Sequence, residues 1–341
     1  MAAVYPPGVA AGHGDHPQCS PAADTLERVT DPLDARPPFA VILNPQAGRG
    51  LAGREWPRLE RELRARGLPY RLIQAGSGPE ACAALAQLPA DWPALAVGGD
   101  GTAHGLLPEL RRSGRVLGLV PLGSGNDLAG LLGLRAGDLG AALDRLTRPP
   151  QRLDLLEVTL GDVQGGVQPT LLLNGLGMGF DAQVADLMTV APARLLGLPL
   201  AGFPRYLWAA FAGLRRLESA QLSVTLDGQP FYSGPSCLAA VMNGGRYGGG
   251  FQIAPGGDPQ DGLLNVVLGT QLSRSALLPL MARVLKGRHL DHPQVRHARA
   301  QYAELIWQSP MQTHLDGELA GRHEKLSVRL LPGALSFLAG R

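Results

Sequence analysis

Four short clusters in this 341-residue chain combine glycine with a carboxylate in a way that suits phosphate chemistry. They are GGDGT (98–102), PLGSGND (121–127), an AP…DG segment (254–262) and LDGE (315–318). Glycine lets a backbone approach a phosphate closely, and an aspartate in such a loop can hold a magnesium ion or its waters. The first two clusters follow apolar runs, ALAV and VLGLV, so each stands where a buried parallel strand would end. Ligands of open α/β sheets bind outside those carboxyl ends. The combination reads as a site for a magnesium nucleotide.

The elements needed to hold these clusters follow from periodicity. Strands are predicted at 39–43, 70–73, 95–97 and 116–120. Helices are predicted at 55–66, with Leu59 and Leu63 on one face, at 80–88, from Ala103 to 112, and at 128–132 and 139–146. Strands alternating with helices at this spacing imply a parallel α/β sheet. The texture changes after Pro149-Pro150. Strands are then predicted at 155–160, 170–173, 222–226, 236–242, 263–268, 304–308 and 326–330, with helical insertions near 182–216 and 273–287. The expected fold is therefore α/β plus mainly β: an N-terminal α/β nucleotide-binding domain (37–155), a C-terminal antiparallel β-sandwich (156–330), and the site in the cleft between them. Residues 1–36, rich in Pro, Gly, Ala and Asp, read as a disordered tail, and 331–341 as a segment returning to the first domain.

Composition narrows the function. A net charge of +2 gives no basic stripe for a nucleic-acid partner. Lys286 and Lys325 are the only lysines, so neither a P-loop nor the early-strand lysine of a protein kinase can be built. Cys19, Cys82 and Cys237 are far apart, suggesting neither a disulfide framework nor a zinc site and fitting a cytoplasmic setting. No apolar stretch precedes Arg28, so no secretory signal is visible.

Three features invite other readings. Residues 48–53 match GxGxxG, but the strand ends four residues too early, and Gln74 and Ala75 stand where a ribose-binding carboxylate belongs. The same loop serves to hold nucleotide phosphate through its N–H groups. His289, His292 and His297 fit no zinc spacing and read as a solvated loop. The apolar stretch 195–214 carries Pro199, Pro204 and Arg205, which argue against a transmembrane span. With Arg194, Arg215 and Arg216 at its ends, it suits an interfacial element bordering a lipid entrance, or equally a helix packed into the core.

Taken in order, these motifs resemble one family. The run is Asn44-Pro45 with its Gly-rich loop, GGDGT, PLGSGND, NGLGMGFDA (174–182), MNGGRYGGGFQIAP (242–255), DGLLNV (261–266) and LDGE. It is similar to the soluble diacylglycerol-kinase-like lipid kinases of bacteria, whose catalytic domain is shared with sphingosine kinases. The resemblance covers about residues 38 to 335. It implies an ATP- and Mg²⁺-dependent kinase acting on a lipid hydroxyl at a membrane surface, most simply that of diacylglycerol. Asn44, Pro45, Gln46, Ala47 and Gly48, then Gly98, Gly99, Asp100, Gly101, Thr102, Ala103 and His104, would line the nucleotide, with a hydroxyl from Ser124. Asp100, Asp127 and Asp154 would face the catalytic Mg²⁺. Asp261, with the carbonyls of Asp258 and Leu263, would hold a structural Mg²⁺, and Glu318 would be the general base.

Chemistry gives these roles sense on its own terms, because phosphoryl transfer needs positioning and charge neutralisation more than covalent help. Blander roles stay open: Asp154 capping a turn, Asp316 orienting a loop, Glu318 exposed in a turn. His104 and Ala75 depart from the family pattern, where Asn and Thr are common, which leaves nucleotide preference open. The rival functions are NAD-kinase-like phosphorylation of a soluble acceptor, and a non-catalytic nucleotide or lipid sensor. The expected location is cytoplasmic with peripheral membrane association. A homodimer stays open.

Overall fold

The computed structural model describes residues 37–123, 125–161, 169–192, 194–195, 198–199, 203–247 and 250–338. Its first half is a parallel sheet in the order β2-β1-β3-β4, from β1 (Phe39–Leu43), β2 (Tyr70–Gln74), β3 (Ala94–Gly98) and β4 (Val116–Pro121). β1 and β3 are buried at every residue, as expected of parallel strands covered on both faces. The connections are α1 (Ala47–Ala65), α2 (Gly78–Ala86), α3 (Asp100–His104), α4 (Leu107–Ser113), α5 (Asp127–Leu131) and α6 (Leu139–Arg145). Leu59 and Leu63, the pair one helical turn apart, are fully buried against this sheet.

The second half contains β5 (Gln151–Gly161), β6 (Thr170–Leu172), β7 (Gly175–Gly179), α7 (Phe180–Val190), β8 (Arg194–Leu195), β9 (Leu198–Pro199) and α8 (Phe203–Leu214). It continues with β10 (Ala220–Leu226), β11 (Gln229–Met242), β12 (Leu264–Thr270), α9 (Arg274–Leu285), β13 (Val295–Ala300), β14 (Tyr302–Leu315) and β15 (Glu318–Phe337). Its strands are antiparallel in the order β13-β12-β11-β10-β14-β15, with β5 against β15 and β7 between β11 and β14. The end of β15 joins the halves: Ser336 and Phe337 pair in parallel with Val116 and Leu117 of β4. The expected α/β-plus-β architecture is the one observed, with one apolar core under the parallel sheet and two in the β-rich half.

Several local expectations need correction. The helix expected from Ala103 to 112 is two, α3 and α4. Gly105 lies against Gly78, where an added Cβ on Gly105 would come 2.8 Å from the Gly78 Cα, and Pro108 restarts the helix in the first turn of α4. The helix expected at 55–66 begins earlier, because a left-handed turn at Gly48, Arg49 and Gly50 precedes its regular part. β7 and β13 were not foreseen. The histidine stretch is no solvated loop: His289 is buried with Nε2 2.9 Å from the Ile253 carbonyl, and His297 sits on β13 opposite Val267.

In the apolar stretch, α8 buries Ala209, Ala210 and Leu214 in a core shared with Phe180, Val184 and Leu187 of α7. Arg205, a liability in a membrane span, donates to the Met188 and Ala191 carbonyls at the end of α7 (3.0 and 2.9 Å). Outward, Phe211 is 54% exposed. No helix among the described residues is long and apolar enough to cross a membrane.

Arg115 is a buried cation that ties the turn after α2 to β4. It donates to the carbonyls of Leu85, Leu88, Pro89 and Trp92 and faces the buried Glu109 at 3.8 Å. Arg115→Ala leaves those four carbonyls without their donor, while Glu109 keeps its two bonds from Arg112. Chemical denaturation of the variant is expected to show a loss of about 3–5 kcal/mol with an unchanged denaturant slope.

Candidate active site

Between the ends of the parallel strands and the β-rich half lies a cleft of about 1040 Å³. One wall is made of loops in which backbone meets backbone. A Cβ on Gly99 would come 2.9 Å from the Cα of Gly123, and one on Gly48 would come 2.2 Å from the Leu122 carbonyl oxygen. Only glycine permits both approaches. Asn126, at φ 54°, closes the second loop: its Oδ1 accepts from the Gly123 N–H (2.9 Å) and its Nδ2 donates to the Gly123 carbonyl (2.7 Å). Asn44 Oδ1 accepts from the Gln46 N–H (3.1 Å), opening α1 with an Asx turn.

Asp100 links the two glycine loops. Its Oδ2 accepts from the Asp127 N–H (2.7 Å) and its Oδ1 from the Leu128 N–H (3.3 Å), so the first loop caps the helix that follows the second. Burial, with Asp127 and Asp316 nearby, pushes the Asp100 carboxyl up to about 6 despite those amides. Asp100, Asp127 and Asp316 all line the cleft. They bring negative charge to one region of the cleft, but among the described residues no group of three or more His, Cys, Asp or Glu stands close enough together to hold a metal ion by itself.

The opposite wall is the hairpin of β14 and β15. Its turn, Asp316-Gly317, has φ 47° and 88°, a type I′ turn closed by the pair Leu315 and Glu318. The Asp316 carboxylate accepts from the N–H groups of Leu173 (2.8 Å), Asn174 (3.0 Å) and Gly175 (2.8 Å), and His104 Nδ1 lies 3.4 Å from it. Glu318 follows directly. Its Oε1 stands 3.1 Å from where a Cβ on Gly101 would be, and among the described residues nothing donates to its carboxylate.

Of the residues nominated from sequence, Asn44, Ala47, Gly48, Gly99, Asp100, Gly101, Thr102, Asp127 and Glu318 line the cleft. Pro45, Gln46 and Gly98 support it from behind; the bare Cα of Gly98 makes room for Thr102. Ala103 is wholly buried, and His104 turns to Asp316. Ser124 lies outside the described residues.

Asp154 is not in the cleft lining. Its Oδ2 accepts from the Gly262 N–H (2.9 Å) and its Oδ1 from the Gly333 N–H (2.7 Å), which pins the 254–262 loop to β15. In this arrangement it holds the loop, the turn-capping role the sequence left open. Asp258, Asp261 and Leu263 form their own turn: the Asp258 carbonyl accepts from the Asp261 N–H (3.2 Å), and Asp261 Oδ1 from the Leu263 N–H (3.0 Å). Arg299 lies 3.7 Å from Asp261. Among the described residues that turn is held by its own amides and one arginine.

Asp181, Tyr247 and His314 also line the cleft, and spacing alone did not single them out. They come from α7, the segment after β11, and β14, so only the fold brings them together. The signal present was indirect: Asp181 falls within the NGLGMGFDA run.

Comparison with known proteins agrees over both halves. The diacylglycerol kinase catalytic domain matches residues 38–158, and the YegS C-terminal NAD kinase beta sandwich-like domain matches 175–339. A diacylglycerol kinase of Mycobacterium tuberculosis is 30% identical over 305 residues, 88% of this chain and 94% of the relative. A probable lipid kinase YegS-like of Chromohalobacter salexigens is 30% identical over 253 residues, 72% of this chain and 75% of the relative. A putative diacylglycerol kinase from Bacillus anthracis superposes with a TM-score of 0.69 at 18% identity, covering 91% of this chain and 98% of that one, which speaks for the fold.

The Asp100 environment has a pH signature. A carboxyl raised from 3.8 to about 6 favours the folded state fully below 3.8, and this contribution is lost as pH rises through about 6. Asp100→Asn lacks it. In magnesium-free buffer the variant's stability relative to wild type is therefore expected to improve from about pH 4 to pH 7 and then level off. Urea midpoints across that range check it, and a flat difference contradicts it.

Proposed function

The chain belongs to the diacylglycerol kinase family and is a lipid kinase, and from that premise we propose that it transfers the γ-phosphate of ATP to the hydroxyl of diacylglycerol, giving phosphatidic acid. On this reading the α/β half, 37–155, carries the nucleotide, and the β-rich half from 156 onward carries the lipid. The glycine loops place backbone N–H groups along the phosphates, where close approach needs the missing side chains. Asp100 and Asp127 are the carboxylates that would hold Mg²⁺. When bound there, the ion supplies neutralising charge to the phosphoryl group in flight.

The acceptor oxygen attacks phosphorus as its bond to the β-phosphate oxygen breaks, and ADP leaves. The hydroxyl proton must go to a nearby base. Glu318 is the carboxylate on the cleft wall facing Gly101 with no internal donor, and this observation carries the assignment. Asp316, beside it, is committed to three amides.

The lipid is reached at a membrane surface, on the cytoplasmic side, through the outer face of α7 and α8. Val190 and Phe211 are exposed there, and Arg215 and Arg216 at the end of α8 are exposed cations suited to anionic headgroups.

Labelled γ-phosphate from Mg-ATP, offered to mixed micelles of a total lipid extract, is expected to enter one lipid class. Glu318→Gln is expected to lower that transfer by roughly a hundredfold or more without weakening ATP binding. Intact ATP binding by the wild-type protein with no labelled lipid, or full labelling by Glu318→Gln, would overturn the assignment.

The surface contact is tested separately. Val190→Asp with Phe211→Asp is expected to weaken vesicle binding by about tenfold or more. Turnover of a short-chain, water-soluble diacylglycerol should be unchanged. Equal loss on both substrates would place the effect inside the fold.

A further inference from the structure

We propose that His314 is a positioning residue for Glu318, held in one tautomer by Asp181 and Tyr247. This rests on Glu318 being the base, and it concerns a buried cluster that the transfer itself does not use.

His314 lies on β14 directly opposite Gly177 of β7, and it is buried. Its Nε2 is 3.4 Å from Asp181 Oδ2, which also accepts from the Tyr247 hydroxyl. Asp181 Oδ1 accepts from the Ala182 N–H at 2.8 Å, so both carboxylate oxygens are engaged. The Tyr247 ring packs edge-on against the imidazole at 5.0 Å. The cluster fills space that a side chain would need: a Cβ on Gly177 would fall 1.7 Å from Asp181 Oδ2 and 2.7 Å from His314 Nε2. A glycine at that place in β7 is what lets the pair form.

A carboxylate only accepts, so the proton of the neutral imidazole sits on Nε2 and Nδ1 is left as an acceptor. That acceptor takes the N–H of Gly317 at 3.4 Å. In a two-residue hairpin the turn amides lie outside the ladder and need other partners. Here the Asp316 N–H donates to the Gly175 carbonyl (2.8 Å) and the Gly317 N–H to His314. The Asp316–Gly317 peptide, one unit before Glu318, is therefore fixed from the side of Asp181 and Tyr247, in addition to the hold of the Asp316 carboxylate. If the Nδ1 acceptor is lost, the turn can rock and the Glu318 carboxylate drifts from the acceptor oxygen. A displacement of about 1 Å in such a group can cost roughly a hundredfold in rate.

The test compares His314→Asn, His314→Gln and His314→Leu. The Asn Oδ1 falls near the place of Nδ1 and can accept from Gly317, whereas the Gln amide reaches the place of Nε2. His314→Leu and His314→Gln are expected to lower kcat by roughly ten- to a hundredfold at unchanged KM for ATP. Amide exchange at Gly317 should quicken in both, and His314→Asn should recover most of the kcat and the protection. In a Glu318→Gln background His314→Leu should cause little further loss, because the two act as a unit.

Equal activity of the Asn and Gln variants, or a full further loss in the Glu318→Gln background, overturns the proposal. If His314→Leu does not fold, the Asn and Gln variants still decide. If Glu318→Gln alone keeps wild-type turnover, the base assignment is what fails, and Gly317 exchange in the His314 variants still shows whether the imidazole holds the turn.

Discussion

The carboxylate of Asp316 is the contact through which the two halves of the molecule meet at the site. It takes three successive amides from the strand entry at 173–175, and His104 of α3 lies against it. One side chain thus fixes the β14–β15 turn to β7 and to the end of the first glycine loop. The turn that leads into Glu318 is held by that clamp together with the contact of its Gly317 amide to His314. The chain continues from the turn along β15 to β4, so the same hairpin that presents Glu318 also closes the sheet between the halves. A displacement of the turn would be felt in both.

On the near wall the controlling constraint is backbone proximity. Gly48 lies against Leu122 and Gly99 against Gly123, at distances that leave no room for a side chain. The result is a surface of peptide groups with a single carboxylate, Asp100, stitched beneath it to α5. Burial disfavours the charge on that carboxylate, and Asp127 and Asp316 oppose it further. A site so arranged gains from a cation and from the anion that brings it. Close backbone approach and a carboxylate held short of positive charge are the two features on which the proposed binding of ATP with Mg²⁺ rests.

How much of this the sequence carried depends on whether the constraint was local. Continuous apolar runs such as FAVIL mark buried parallel strands, so the first half was legible. β7 was not, because GLGMG looks like a loop; its glycines answer to Asp181, His314 and the backbone across the sheet. Nor was β13, whose charged VRHARA pairs through its backbone with β12. The glycine loops of the site were legible for the reason β7 was not: their clusters include the carboxylate that gives them meaning. For Asp154 residue type left open whether the carboxylate faces a ligand or caps a turn, and the fold gives it two amides. Asp181, Tyr247 and His314 are joined only by tertiary structure, and no spacing rule reaches across those distances.

The aspartates and the glutamate around the cleft are chemically alike, and the fold divides the work by deciding what each already holds. Asp154 and Asp316 accept backbone amides on both oxygens, which commits them to holding the chain. Asp100 is also bonded to amides, yet burial and its acidic neighbours outweigh them, leaving a carboxylate short of positive charge and suited to an ion. Glu318 takes no hydrogen bond from the described residues and lines the cleft. Its reach comes from an exposed side chain, while its aim comes from a turn whose amides are both engaged. In the proposed role of base, Glu318 combines a carboxylate that no described residue engages with a turn whose amides are both held.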